Sequence, residues 1–436
     1  MTQISIIDIS KKIGRGYLKK ILKTRQERAY EVELTVKKIV EDIKNKGDQA
    51  LFEYSKKFDR ISISSKNIKL KNSYIKKQAK LASDSFKKSC QEAAKRIKAF
   101  HEKQKACWFT IKTSEGFLSQ IIKPLNRVGV YVPGGYTLYP SSVLMNIIPA
   151  QIAQVKEIAV ATPIKEELSP VIAYAFELLG ITEVYQIGGA QAIAALAFGT
   201  QSIKQVDKIV GPGNIYVALA KKIVYGTVDI DSIAGPSEVI VWADETANPK
   251  WVALDLLAQA EHGSGDEIAI CITQNSRFAK KIQEEVIKAI NLSPYKNVFS
   301  ALRNDSICIC ISSNRKECID IINECAPEHL EIITKNYKKD VIEIRNAGAI
   351  FLGPYSPVAM GDYFIGTNHV LPTGGAARFS SPLGVESFLK RISVAEVTKD
   401  GLINSAKHVS VLARTENFIH HALSVEKRAE DILKKN

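Results

Sequence analysis

RVGVYVPGG, residues Arg127–Gly135, is where the texture of this chain changes. A run of valines and a tyrosine ends in Pro-Gly-Gly, which reads as a buried strand stopped by a turn. After it come YPSSVLMNIIPAQIAQV, EIAVATP, VIAYAFELL and EVYQIGG, so short β-branched runs alternate with amphipathic stretches. That cadence is the βαβ pattern of a parallel sheet covered by helices. It breaks at Gly235-Pro236 and restarts. SEVIVWAD reads as a strand, PKWVALDLLAQAEH as a helix ended by Gly263, EIAICIT as a strand and SRFAKKIQEEVIKAI as a helix, with SICICI and AGAIFLG as later strands. The fold class is therefore α/β, with two layered units in series.

Upstream, residues 1–124 read as mostly helical, Lys-rich and short of Gly and Pro. They hold 30 Lys and Arg against 13 Asp and Glu, a net of +17, while the rest of the chain nets −3. All of the overall +14 thus sits in this segment. Its lysines recur between apolar residues at helical spacing and Arg is scarce, so it reads as solvated helix faces and no nucleic-acid partner is expected. Downstream, Tyr355–Pro382 reads as one long loop rich in Gly, Pro and Thr, a length that is usually functional. From Glu386 the tail returns to helix.

With 436 residues, 45% hydrophobic and 24% charged, the composition is that of a globular protein with sizeable cores. No apolar run reaches the roughly eighteen residues that a membrane span needs, and MTQISIIDISKK lacks the pattern of a secretory signal. Seven cysteines without a CxxC pair suit a reducing cytoplasm.

Neither GxGxxG nor a Walker A motif occurs. GGAQAIAALAFG (188–199) and GPGNIYVALAKK (211–222) are Gly-led helix starts after strands. Their backbone N–H groups suit a dinucleotide pyrophosphate, and glycine used only for tight turns explains them equally. HExxH is absent too. Gln259 and His262 are three apart, so they share a helix face. Asp362 and His369 stand in the long loop and His421 in the terminal helix. Mixed His, Asp and amide donors suit zinc, and each residue alone also fits a hydrogen-bonded structural role. NECAPEHLEI (323–332) reads three ways: Cys325 as a nucleophile, Glu328 and His329 as an acid/base pair, or a helix start with Pro327 at its first position.

Taken together, VGVYVPGG, YPSSVLMNIIPA, GGAQAIAALAFGT, GPGNIYVALAK, AGPSEVIVWAD, LLAQAEHG, CAPEHLE, GDYFIGTNHVLPTGGAARFSSPLGV and ENFIHHALSVEKR resemble the L-histidinol dehydrogenase family, in the same order from about residue 20 to the C-terminus. The resemblance implies a zinc-dependent, four-electron oxidation of L-histidinol through L-histidinaldehyde to L-histidine with two NAD+, the last steps of histidine biosynthesis. Another small amino alcohol or diol is the alternative substrate. It implies zinc, one per subunit, on Gln259, His262, Asp362 and His421, the last chosen over His420 by its spacing from Arg428. Glu328 and His329 fall on the family's catalytic pair, leaving Cys325 without a role. Ser237, His369 and Glu416 fall on substrate contacts, alongside His329 and the metal ligands. Tyr131, Gln191 and Asn214 fall on NAD contacts.

The implied fold is two incomplete Rossmann-like domains, aldehyde-dehydrogenase-like, with helical extensions at both ends, in an intertwined cytoplasmic homodimer without membrane attachment. On that plan residues 1–25 are a helical extension, and 26–130 with 237–382 form the first domain, with the catalytic and most zinc-binding residues. Residues 131–236 form the second, NAD-contacting domain, and 383–436 a helical tail that reaches the partner subunit.

Overall fold

The computed structural model describes residues 4–23, 29–104, 107–134, 138–233, 235–262 and 265–434; the helix stop expected at Gly263 and the last turn glycine, Gly135, lie outside these. Two compact units result, one built from Met1–Gln104 with Asn126–Phe388 and the other from Lys105–Leu125 with Leu389–Asn436.

Two parallel sheets organise the first unit. The larger has six strands in the order Ser5–Asp8, Ile307–Ile311, Ile268–Thr273, Glu238–Ala243, His329–Ile333 and Ala349–Leu352. Its inner strands are almost continuously apolar because helices cover both faces. Alternation along a strand shows how. Val239 and Val241 pack with Val252, Leu256 and Ile282 of the helices Pro249–Ala260 and Ser276–Leu292. Ile240 and Trp242 face the other way, onto Leu18, Ile319 and Ile322 of the helices Lys12–Lys23 and Arg315–Cys325.

The smaller sheet has five strands in the order Val184–Tyr185, Glu157–Ala161, Arg127–Tyr131, Lys208–Val210 and Asp229–Ile230. RVGVY, where the texture changed, is its central strand. The chain builds outward from it on one side and then on the other, which places a topological switch point beside its carboxyl end.

Four expectations change. The N-terminal segment is not a helical extension throughout, since Ser5–Asp8 is the edge strand of the larger sheet. The helix Ala29–Lys46, expected with 237–382, packs instead on the smaller sheet: its Val36, Ile39, Val40 and Ile43 share a core with Ile193, Leu196 and Leu219. Helical spacing tells which face of a helix is apolar, not which sheet that face will cover. The tail is not all helix, because Leu389–Val397 pairs antiparallel with Gly116–Pro124, and that strand pairs with Phe109–Lys112. This three-stranded sheet and the helices Lys399–Thr415 and Ile419–Lys434 make up the second unit. Finally, Pro327 opens no helix. The helix Arg315–Cys325 ends there with Ala326 in the left-handed region at φ 47°, and a strand begins at His329. Among the described residues no helix is long and apolar enough to cross a membrane.

One buried ion pair supports the smaller sheet's carboxyl edge. Lys221 Nζ donates to Asp231 Oδ1 at 2.6 Å and to Gly211 O at 2.5 Å, with both side chains almost fully enclosed. Asp231 Oδ2 in turn accepts from Gly211 N at 2.8 Å. Removing one partner strands the other's charge, so Lys221→Ala is expected to cost about 3–5 kcal/mol in chemical denaturation. A loss below about 1 kcal/mol, the range of a surface pair, would show that the pair is not a structural tie.

Candidate active site

Strands 238–243 and 329–333 run side by side, with His329 opposite Val239. Their amino ends hold the chemistry. Glu238 N donates to Glu328 Oε2 at 2.9 Å, and Glu238 O lies 3.3 Å from His329 Nδ1. A carbonyl oxygen only accepts, so Nδ1 carries the proton and the neutral ring keeps its lone pair on Nε2. That Nε2 is buried with no hydrogen bond among the described residues. Its nearest acidic neighbour, Asp362 Oδ1, stands at 3.6 Å, too far for a hydrogen bond. Glu328 Oε2 is 3.7 Å from Nδ1.

Backbone geometry aims the pair. The left-handed turn at Ala326 reverses the chain, and Gly348 N donates to Pro327 O at 2.9 Å. A Cβ at position 348 would stand 2.6 Å from Glu328 O, so this approach requires glycine. Glu331 lies two residues beyond His329, on the same strand face, and is fully buried. Its Oε1 accepts from Val358 N at 2.7 Å, at the start of the helix Val358–Tyr363 that carries Asp362. Asp362 is thus helical, not part of an open loop as expected.

Burial pushes the Glu328 carboxyl up, and the neighbouring His329 charge pulls it back, leaving it at about 7. Burial works against charge on His329, but Glu328 and Asp362 outweigh it and raise the imidazole to about 9. For Asp362 the burial effect is overcome by His329, and the carboxyl is lowered. His369 is lowered by burial, in part offset by Asp362.

Around this pair stand other expected residues. His369 Nδ1 donates to Asp362 O at 2.8 Å, and its Nε2 is 3.2 Å from Ser142 Oγ. Ser237 immediately precedes Glu238. Gln259 is 3% exposed, yet its Oε1 and Nε2 are both buried without a hydrogen bond among the described residues. His262 Nδ1 donates to Gln259 O at 2.9 Å, so Nε2 keeps its lone pair. Among the described residues no three His, Cys, Asp or Glu side chains converge as a metal cluster. An amide buried with both polar atoms unbonded is nevertheless costly, and an imidazole and a carboxylate are the donors that suit a divalent ion beside it. The donor set in this unit therefore fits zinc.

Tyr131, Gln191 and Asn214 all stand at the carboxyl edge of the smaller sheet. Tyr131 is buried, which pushes its phenol up to about 12, and its hydroxyl oxygen accepts from Gly189 N at 3.1 Å. Gln191 is 1% exposed in the helix Gly189–Phe198. Asn214 caps the helix Ile215–Val224, its Oδ1 accepting from Tyr216 N and Val217 N. Glu416 and His421 belong to the second unit, where both are exposed and His421 rests on the Phe418 ring, with centroids 5.2 Å apart.

Cys325 is no nucleophile. It is 3% exposed in an apolar cluster with Cys308, Cys310 and Cys318. Glu238 was missed in the sequence, although a carboxylate opening the wholly apolar run VIVWA was a readable signal. Ser142 was missed as well, and serines at a helix start offer no such signal.

A buried imidazole with an unbonded nitrogen at one sheet edge, and Gly-led helix starts at the carboxyl edge of a second parallel sheet, are parts that a dehydrogenase can use. The histidinol dehydrogenase family model matches residues 22–429. The histidinol dehydrogenase of Bacillus cereus is 47% identical over 404 residues, 92% of this chain and 93% of that protein. That of Caldanaerobacter subterraneus is 45% identical over 430 residues, 98% and 99% of the two chains. The crystal structure of histidinol dehydrogenase from Elizabethkingia anophelis superposes with a TM-score of 0.90 at 37% identity, covering 99% of this chain and 98% of that one. This chain belongs to the histidinol dehydrogenase family, and it is an NAD-dependent oxidoreductase of histidine biosynthesis.

The pH response of the metal-free protein follows from the raised groups. A raised imidazole stabilises the fold fully below its ordinary value of about 6.5, and that contribution is lost as pH climbs through about 9. A carboxyl raised to about 7 acts in the same direction at lower pH, because the fold holds a proton that the unfolded chain has released. The denaturation midpoint of chelator-treated protein is expected to fall between pH 7 and 9, and His329→Gln to flatten the fall. A midpoint rising over that window would contradict the assignment.

Proposed function

We propose that in the histidinol dehydrogenase reaction of this chain His329 takes the hydroxyl proton and Glu328 prepares the water. The observation that carries this reading is His329 Nε2, a buried base atom with no partner among the described residues. Oxidising the alcohol needs the O–H proton to leave as hydride departs from the carbon, and Nε2 is aimed to receive it. Oxidising the aldehyde needs water to add first. Glu328, with one oxygen held by Glu238 N and its carboxyl near neutrality, is suited to drawing the proton from that water. Once His329 has released its first proton to solvent, its Nε2 can take the hydroxyl proton of the resulting diol. Tyr131, Gln191 and Asn214 would hold NAD, which when bound would supply the hydride acceptor for each oxidation, one NAD per step.

Gln259, His262 and Asp362 would hold zinc together with His421 of a second copy of this chain, and zinc when bound orients the imidazole and amino nitrogens of histidinol while offsetting the negative charge around His329. Glu416 of that second copy would pair with the amino or imidazole nitrogen, with Ser237 and His369 fixing the other end. The exposure of Glu416 and His421 supports donation to another copy, and with it a homodimer. Keeping the aldehyde in place between the two steps protects it from side reactions.

His329→Gln is expected to lower turnover of histidinol by at least about a hundredfold, while zinc content and histidinol affinity hold. Loss of the metal from that variant would overturn its role as base. Glu328→Gln is expected to slow oxidation of histidinaldehyde more than oxidation of histidinol, with NADH formation followed from each substrate separately. Equal loss in both would remove Glu328 from the water step.

A further inference from the structure

The helix Gly189–Phe198 has one of the two Gly-led helix starts whose backbone N–H groups could hold a dinucleotide pyrophosphate. Here protein oxygens already take its first N–H groups. Gly189 N donates to the Tyr131 hydroxyl, and Gly188 N donates to Asp59 Oδ2 at 3.2 Å. Gln191 Nε2 donates to the same Oδ2 at 3.1 Å. Asp59 is therefore bonded to Gln191, one of the residues that the cofactor would touch, and to Gly188, next to the peptide that Tyr131 holds.

Its placement is specified by an unusual backbone. Residues Ser55–Asp59 form a π-helical turn, a rare conformation that recurs at functional sites. Arg60 follows at φ 59°, a left-handed conformation that costs a non-glycine residue about 1–3 kcal/mol. Ser55 Oγ is left buried without a hydrogen bond among the described residues. On the receiving side, a Cβ at Gly188 would stand 3.0 Å from Asp59 Oδ1 and 2.6 Å from Pro163 Cβ, so only glycine admits the carboxylate. With Oδ2 doubly engaged, Oδ1 accepts no hydrogen bond among the described residues.

We propose that Asp59 sets the choice of dinucleotide: its Oδ1 accepts from a free ribose hydroxyl of NAD, and its charge repels the 2′-phosphate of NADP. This rests on the reading that Tyr131 and Gln191 contact the cofactor. In sheets with the usual glycine fingerprint, an acidic residue about 20 positions downstream takes the ribose hydroxyl. Here an upstream segment delivers that carboxylate from outside the sheet.

Isothermal titration calorimetry of NAD and of NADP into the full-length protein tests this without turnover. Asp59→Asn keeps an acceptor for Gly188 N and removes the charge. It is expected to weaken NAD, strengthen NADP and narrow the ratio of their Kd values by about tenfold or more. Asp59→Ser, smaller and also neutral, should shift the ratio the same way and serves if the asparagine variant does not fold. An unchanged ratio in a folded variant overturns the proposal. Gln191→Ala, run in parallel, separates the two failures. If it weakens NAD while the Asp59 variants leave the ratio alone, Asp59 alone is misassigned. If it leaves NAD binding unaltered as well, the cofactor does not lie at this edge.

Discussion

Everything in the site turns on the peptide groups of Glu238. Its N–H holds Glu328 and its C=O faces His329, so one residue addresses the two proposed catalytic side chains with opposite polarity. The N–H favours charge on the carboxyl and opposes the effect of burial. The C=O selects the imidazole tautomer and leaves Nε2 bare. Neither contact could form in a slipped register, because moving strand 329–333 by one residue would turn His329 to the opposite face. The ladder that places His329 opposite Val239 therefore determines protonation as well as shape.

That constraint is propagated outward along the same strand. Glu331, on the His329 face, accepts from Val358 N and so ties down the helix bearing Asp362. His369 donates to Asp362 O and reaches Ser142, at the start of the helix Pro140–Ile152 that follows the central strand of the smaller sheet. Asn368 Nδ2 donates to Met145 O in that helix at 2.8 Å. The amino edge of the six-stranded sheet thus meets the carboxyl edge of the five-stranded one. The unbonded amide of Gln259 is destabilising in isolation.

Much of this was legible in the sequence, for physical reasons. The strands EVIVWA and IAICIT announce themselves because a sheet covered on both faces must be apolar at every position. Gln259 with His262, and Glu328 with His329, were legible as candidates because polar and titratable side chains in short spacing stand out against apolar surroundings. What stayed hidden depends on long-range pairing. Nothing local in SIID shows that Ser5–Asp8 adds to Ile307–Ile311, roughly 300 residues away. The apolar stripe of Ala29–Lys46 cannot say which sheet it will cover. LKRISVAEV carries an alternating pattern, but its partner strand lies in a segment whose lysines favoured a helical reading. Pro327 misled because proline opens helices and also follows them, and only the left-handed Ala326 decides between the two.

The assignment of His329 as base is tested most directly by 15N NMR of histidine-labelled protein at a pH above the titration of this ring, with its signals identified by their loss in His329→Gln. Hydrogen bonding to Glu238 O requires the proton on Nδ1, so a protonated Nδ1 and a bare, titrating Nε2 are expected. A proton on Nε2 with Nδ1 bare would contradict the assignment, since the nitrogen left to the substrate could not then accept its proton.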